Sequence, residues 1–145
     1  MENGKAEIPK WFWVLSIFFL LWNIMGVLSF FGHTFITEEA LAELSADERE
    51  LYGDYPLWTT IAFAIAVLTG FIGAIGLVLR RKWSKTAFMI SLLAIIPQMT
   101  HNVFFTKSIE VYGTAEAVTM PALVVIFGIF LLWFSSLGIK KNWLK

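Results

Sequence analysis

Charged positions in this chain gather into short clusters, and between them apolar residues run on without interruption. All 22 acidic and basic side chains fall outside four stretches, residues 11–31, 57–79, 86–105 and 119–139. Each stretch is about 20 residues or slightly more, the length of a helix that crosses a hydrocarbon core of roughly 30 Å. Lipid offers the backbone no hydrogen-bond partners, so a crossing segment is either a helix or a strand of a closed barrel. Barrel strands are only about 9 to 11 residues long and alternate in polarity. These runs are longer and do not alternate. The pattern predicts an all-α integral membrane protein, a single four-helix transmembrane domain over residues 1–145.

Composition sharpens this picture. The chain has 145 residues, of which 58% are apolar and 15% charged, against roughly 45–50% and about 25% in soluble domains. The mean hydropathy of +0.72 fits lipid as the solvent. Formal net charge is zero, so no global field draws in nucleic acid and none is expected as a partner. The absence of cysteine excludes disulfides, thiolate metal sites and thiol nucleophiles. The run at residues 11–31 is longer than the apolar part of a signal peptide, and Ser29-Phe30-Phe31-Gly32-His33 offers no small-residue cleavage site, so it is expected to remain as an anchor.

Basic residues set the expected orientation, since lysine and arginine near span ends stay on the cytoplasmic side. Lys5, Lys10, Arg80, Arg81, Lys82, Lys85, Lys140, Lys141 and Lys145 share one side, nine of the eleven; Arg49 and Lys107 lie on the other. Both termini are therefore expected on the cytoplasmic side. Trp11, Trp83 and Trp143 stand beside these basic groups, where an indole favours the headgroup region. The first outer connection, residues 37–54, carries seven acids against Arg49, a net charge of −6. Thr37 before Glu38 and Glu39 reads as a helix cap, and Ser45-Ala46-Asp47-Glu48 as a capping box with Gly53 as its stop. Two short helices are expected there, as an acidic cap or a lid.

Inside the spans, small and polar residues locate the contacts, because lipid leaves close packing and polar pairing as the forces between helices. Gly70, Gly73 and Gly76 form a helix-packing strip with Ala66. In the third run Ala87, Ser91, Ala94, Gln98, His101 and Asn102 recur at intervals of three and four on one face, and Pro97 predicts a kink beside them. Ser16, Asn23 and Gly26 share a face of the first run. Counted from Trp11 and Trp83, Asn23 and Gln98 fall at similar depth. Trp22, Asn23, Gln98, His101 and Asn102 are thus the candidate ligand-binding set. They read either as helices bonding one another or as the wall of a solute pocket. His33 and His101 are the only imidazoles and allow a third reading, a haem- or quinone-binding bundle. A faint echo aligns Leu79 to Trp83 with Ile139 to Trp143, which interface anchoring alone can produce.

No phosphate loop, zinc-binding helix motif, buried carboxylate pair or catalytic triad can be assembled. Neither enzymatic activity, resident cofactor nor metal is expected. The chain resembles a group of small bacterial four-span membrane proteins commonly labelled sugar transporters. The resemblance runs through Pro9-Lys10-Trp11-Phe12-Trp13, Leu21-Trp22-Asn23-Ile24-Met25-Gly26-Val27, Leu51-Tyr52, Arg81-Lys82-Trp83, Ile109-Glu110-Val111-Tyr112-Gly113 and Gly128-Ile129-Phe130-Leu131-Leu132-Trp133-Phe134. It implies a shared fold and a bilayer location, and brings no defined sugar-binding motif to particular residues. The expected function is a carrier, or carrier subunit, for a small polar solute such as a sugar, with an outward-facing pocket and a homodimeric assembly. The alternative is an accessory protein of a larger membrane complex.

The charge asymmetry makes a topology prediction. Reporters fused after Lys145 or inserted between Arg81 and Ser84 report from the cytoplasm, and Ala46→Cys reacts with an impermeant thiol reagent from outside. Labelling of that cysteine only after permeabilisation reverses the orientation.

Overall fold

A computed structural model describes residues 7–53 and 55–145; Lys5 and Asp54, the last acid of the outer connection, lie outside the described residues. Among the described residues seven helices follow one another: α1 (Lys10–Thr34), α2 (Glu38–Ala42), α3 (Ala46–Gly53), α4 (Leu57–Val78), α5 (Trp83–Phe104), α6 (Ser108–Tyr112) and α7 (Thr114–Lys140). The described residues contain no strand. Helices α1, α4, α5 and α7 are each long and apolar enough to cross a membrane. They form an up-and-down bundle, α1 against α4, α4 against α5 and α5 against α7, closed by aromatic rings between α7 and α1. The start of α1, the α4–α5 turn and the C terminus make a basic end. The opposite end holds the acidic segment.

Helix α4 sets the spacing. A Cβ on Gly73 would stand 2.7 Å from the Phe88 ring, and one on Gly76 2.9 Å from both Ser84 and Trp83. Both glycines face α5, so the two backbones come closer than any side chain would permit. The opposite seam is built differently. Phe12 against Phe134, Phe19 against Phe130 and Phe127, and Trp22 against Phe127 join α1 to α7 with centroids 4.8–5.4 Å apart, which holds those backbones apart. Hydroxyls on the helix surfaces bond within their own helix, as Thr69 Oγ1 does to Ile65 O and Thr100 Oγ1 to Ile96 O, so no polar group is left bare toward lipid at those points.

The basic end is sealed by the chain itself. Helices α4 and α7 finish alike. Arg81 N donates to Gly76 O and Arg80 N to Leu77 O; Trp143 N donates to Gly138 O and Asn142 N to Ile139 O. Arg80 and Asn142 take the left-handed conformation, with φ of 57° and 60°, the αL residue of two Schellman motifs. The turns then pair: Lys145 N donates to Arg80 O, Lys82 N to Lys145 O, and Arg80 Nε to Trp143 O. This match superposes Arg80 on Asn142, two residues out of step with the sequence echo, so Trp83 and Trp143 are not structural equivalents. Trp83 is exposed. Trp143 is only 7% exposed and packs on Trp11 and Phe12, with Leu144 beneath it, so its indole belongs to the core and not to a headgroup belt.

At the acidic end Ala40 N donates to Thr37 Oγ1. Glu48 N donates to Ser45 Oγ while Ser45 N donates to Glu48 Oε2, the reciprocal capping box that starts α3. Ser45 N and Ser45 Oγ both donate to Glu48 Oε2 and hold that carboxyl below its ordinary range. Gly113, with φ of 84°, ends α6 and starts α7 in a conformation that suits glycine alone.

The glycine strip yields a stability prediction. Gly73→Leu forces Phe88, buried in the core, out of place and costs about 1–3 kcal/mol. Gly32→Leu, at a position with nothing within 4 Å of a new Cβ, costs nothing. Unfolding titrations in mild detergent check the pair, and equal stability of the two variants would show that Gly73 carries no contact.

Candidate functional site

The same small residues that draw α1, α4 and α5 together also bring polar atoms into the middle of the bundle. Asn23 turns its amide back along α1, Nδ2 donating to Phe19 O at 2.7 Å. Its Oδ1 lies over Gly70, 2.5 Å from where a Cβ would be, and Ser91 Oγ approaches the same point to 3.2 Å. Ser91 Oγ donates across the helix pair to Ala66 O at 2.7 Å. Gly70 is therefore a notch in which three helices meet through polar side chains.

Beyond this notch lies a cavity of about 240 Å³ bordered by all four long helices. Its polar groups are Asn23 and Ser29 from α1 and Ser91, Gln98 and Asn102 from α5; Trp22, Phe63, Phe88, Phe127 and Leu131 supply much of its apolar wall. Among the described residues its lining contains no charged side chain. Gln98 is 8% exposed, and its buried Oε1 accepts no hydrogen bond. Such an atom, held away from water, costs about 1–3 kcal/mol until a donor reaches it. Asn102 is better supplied. Its Oδ1 accepts from Tyr55 Oη at 3.0 Å, and its carbonyl accepts from Ser108 Oγ at 2.8 Å.

Four of the five candidate residues, Trp22, Asn23, Gln98 and Asn102, line this cavity, and His101 does not. The His101 ring stands edge-on to Trp58 and stacks on Phe105. The His33 ring stacks on Tyr52 and meets Tyr55 edge-on. Among the described residues no group of three or more His, Cys, Asp or Glu side chains is placed to hold a metal ion.

Asn23 and Gln98 share the cavity without touching. Asn23 lies level with Ser91, and Gln98 is seven residues further along α5, about 10 Å. Counting depth from the tryptophans assumes that Trp11 and Trp83 stand at one height, whereas α1 is displaced along α5 by about one turn. Helix α5 continues through Pro97, which is exposed and does not border the cavity. The buried Pro121 of α7 does. Ser29, Met120 and Pro121 escaped the sequence reading; a proline within an apolar run, requiring neighbours to cover the backbone it frees, was the available signal.

The notch predicts compensation between two helices. Gly70→Ala drives a methyl group against Asn23 Oδ1 and costs about 1–3 kcal/mol, and much of that loss returns in Gly70→Ala/Asn23→Ala because the obstructing atom is gone. A double-mutant cycle measured by unfolding in detergent checks this. Simple additivity would place the Asn23 side chain elsewhere.

Comparison with protein families, with curated proteins and with solved structures found no match for this chain.

Proposed function

We propose that this protein is a membrane carrier, or a subunit of one, for a small neutral solute that binds in the central cavity of the helix bundle. The observation that carries this reading is Gln98 Oε1, a buried acceptor without a partner on the wall of a cavity large enough for a small molecule. Ser16 Oγ, Ser84 Oγ and His101 Nδ1 are likewise buried without a partner among the described residues, but of these four atoms only Gln98 Oε1 belongs to a residue that borders the cavity, where Ser91 and Asn102 are both paired. The uncharged lining selects a neutral ligand, because an ion brought there would lose its hydration without a counter-charge. Asymmetric closure suits transport: rings and the C-terminal turn fill the basic end, while the cavity lies in the half toward the acidic end.

In this reading the protein sits in a bacterial cytoplasmic membrane with both termini inside, as the lysine and arginine asymmetry favours, and the cavity addresses the opposite side. It acts as a homodimer, since four helices of this length enclose a narrow route, and it catalyses no reaction. The resemblance to small four-span proteins labelled sugar transporters agrees with a solute rich in hydroxyl groups, each able to donate to Gln98 Oε1.

Mass spectrometry of small molecules that co-purify in mild detergent tests the proposal. The wild type retains a neutral compound, and Gln98→Leu loses most of it, about fivefold for one neutral hydrogen bond, with unfolding in detergent unchanged or improved because leucine removes an unpaired oxygen. Equal retention by both proteins would place the ligand elsewhere.

A further inference from the structure

The seam between α1 and α7 is closed along only part of its length. Its aromatic pairs end at Trp22 with Phe127, although α1 continues to Thr34. Past that point α1 leans toward α4: Gly26 stands against Val67, and Phe30 and His33 lie against Phe63. Helix α7 packs closely on α5 and not on α1, with Gly128, level with the Trp22 and Phe127 pair, against Leu92 and Ile95. The two helices part where the cavity lies. Met25 on α1 and Met120 on α7 both border the cavity and are nevertheless 60% and 55% exposed; Ser29 borders it and is exposed as well. All three lie within helices that are long and apolar enough to span the bilayer, and a gap between two such helices opens sideways.

We propose that the ligand of this cavity is a neutral amphipathic molecule that enters sideways from the bilayer between Met25 and Met120, its polar head reaching Gln98 while its tail remains in the membrane. The inference rests on the reading of the cavity as a ligand site and names the class of ligand. Volume supports it. A space of about 240 Å³ lies below the roughly 300–1,000 Å³ of pockets that enclose a drug-sized molecule, so it takes in a head and the first part of a chain while the remainder stays outside. The lining supports it too. The walls are chiefly apolar, the polar atoms are amides and hydroxyls, and no charge is present to hold a phosphate or carboxylate. Two methionines at the mouth suit a flexible apolar chain, because unbranched thioether side chains adapt to irregular partners.

Photolabelling in nanodiscs of phosphatidylethanolamine and phosphatidylglycerol tests this with two probes. One is a monoacylglycerol with a diazirine close to its head; the other is a methyl glucoside bearing the same diazirine and no chain. The expected result is adducts of the monoacylglycerol on Phe88, Ser91 or Leu131, which are buried on the cavity floor. They are displaced by unlabelled monoacylglycerol, fall about fivefold in Gln98→Leu and disappear in Ser29→Trp, which plugs the mouth. Competition in the wild type decides the question even if a variant fails to fold. Floor adducts from the glucoside alone, with the monoacylglycerol confined to Met25 and Met120, would overturn lateral entry and leave the solute-carrier reading standing. A floor that neither probe reaches would overturn both.

Discussion

Gly73 carries no side chain, and the ring of Phe88 occupies the place where one would be. In water such a contact would be one among many. In lipid it governs the assembly, because a neighbouring helix and an acyl chain are equally apolar and only closeness of packing distinguishes them. Gly76 repeats the device one turn on, and Gly70 repeats it with polar neighbours. Once α5 lies against this strip, Ser91 comes within reach of Ala66 O and Asn23 can rest over Gly70, so the position of α1 follows from that of the α4–α5 pair.

Helix α7 has no comparable strip toward α1. It meets that helix through phenylalanine and tryptophan rings, which keep the backbones apart and fill the space between them only where rings are available. Near the basic end Phe12, Phe134, Leu77, Trp143 and Leu144 leave a packed core. Toward the acidic end the rings run out, and the width they imposed persists as a cavity. The site is thus the consequence of closing one bundle with two kinds of contact, glycine on one side and aromatic rings on the other.

The basic end shows how tertiary contacts stabilise a local cost. Arg80 occupies a left-handed conformation that disfavours a side chain by roughly 1–2 kcal/mol. Its backbone carbonyl and its Nε are both bonded to the C-terminal turn, and Leu144 tucks against Gly138 beneath it. The last three residues therefore act as a stopper, and the cavity is directed toward the other end.

Charge spacing and run length, read from the sequence alone, determined four apolar helices, because a hydrocarbon core imposes a length and excludes charge wherever the chain crosses it. Their ends were legible only in part. Helix α7 begins at Thr114 and not near residue 119, since Gly113 starts a helix that continues outside the apolar run with Glu116 in its first turn. Helix caps at Thr37 and Ser45 were readable because capping is local. Trp22, Asn23, Gln98 and Asn102 could be singled out because polar groups within apolar runs are costly. Which of them share a space could not. Around a helix His101 and Asn102 lie about 100° apart, one on either flank of Gln98, and the flank that meets Trp58 instead of the cavity depends on where α4 lies. The displacement of α1 by a turn, the burial of Trp143 and the opening beside Met25 and Met120 likewise arise from contacts between helices remote in the chain. Periodicity specifies the face of each helix, whereas the neighbour each face meets is decided only when all four helices pack together.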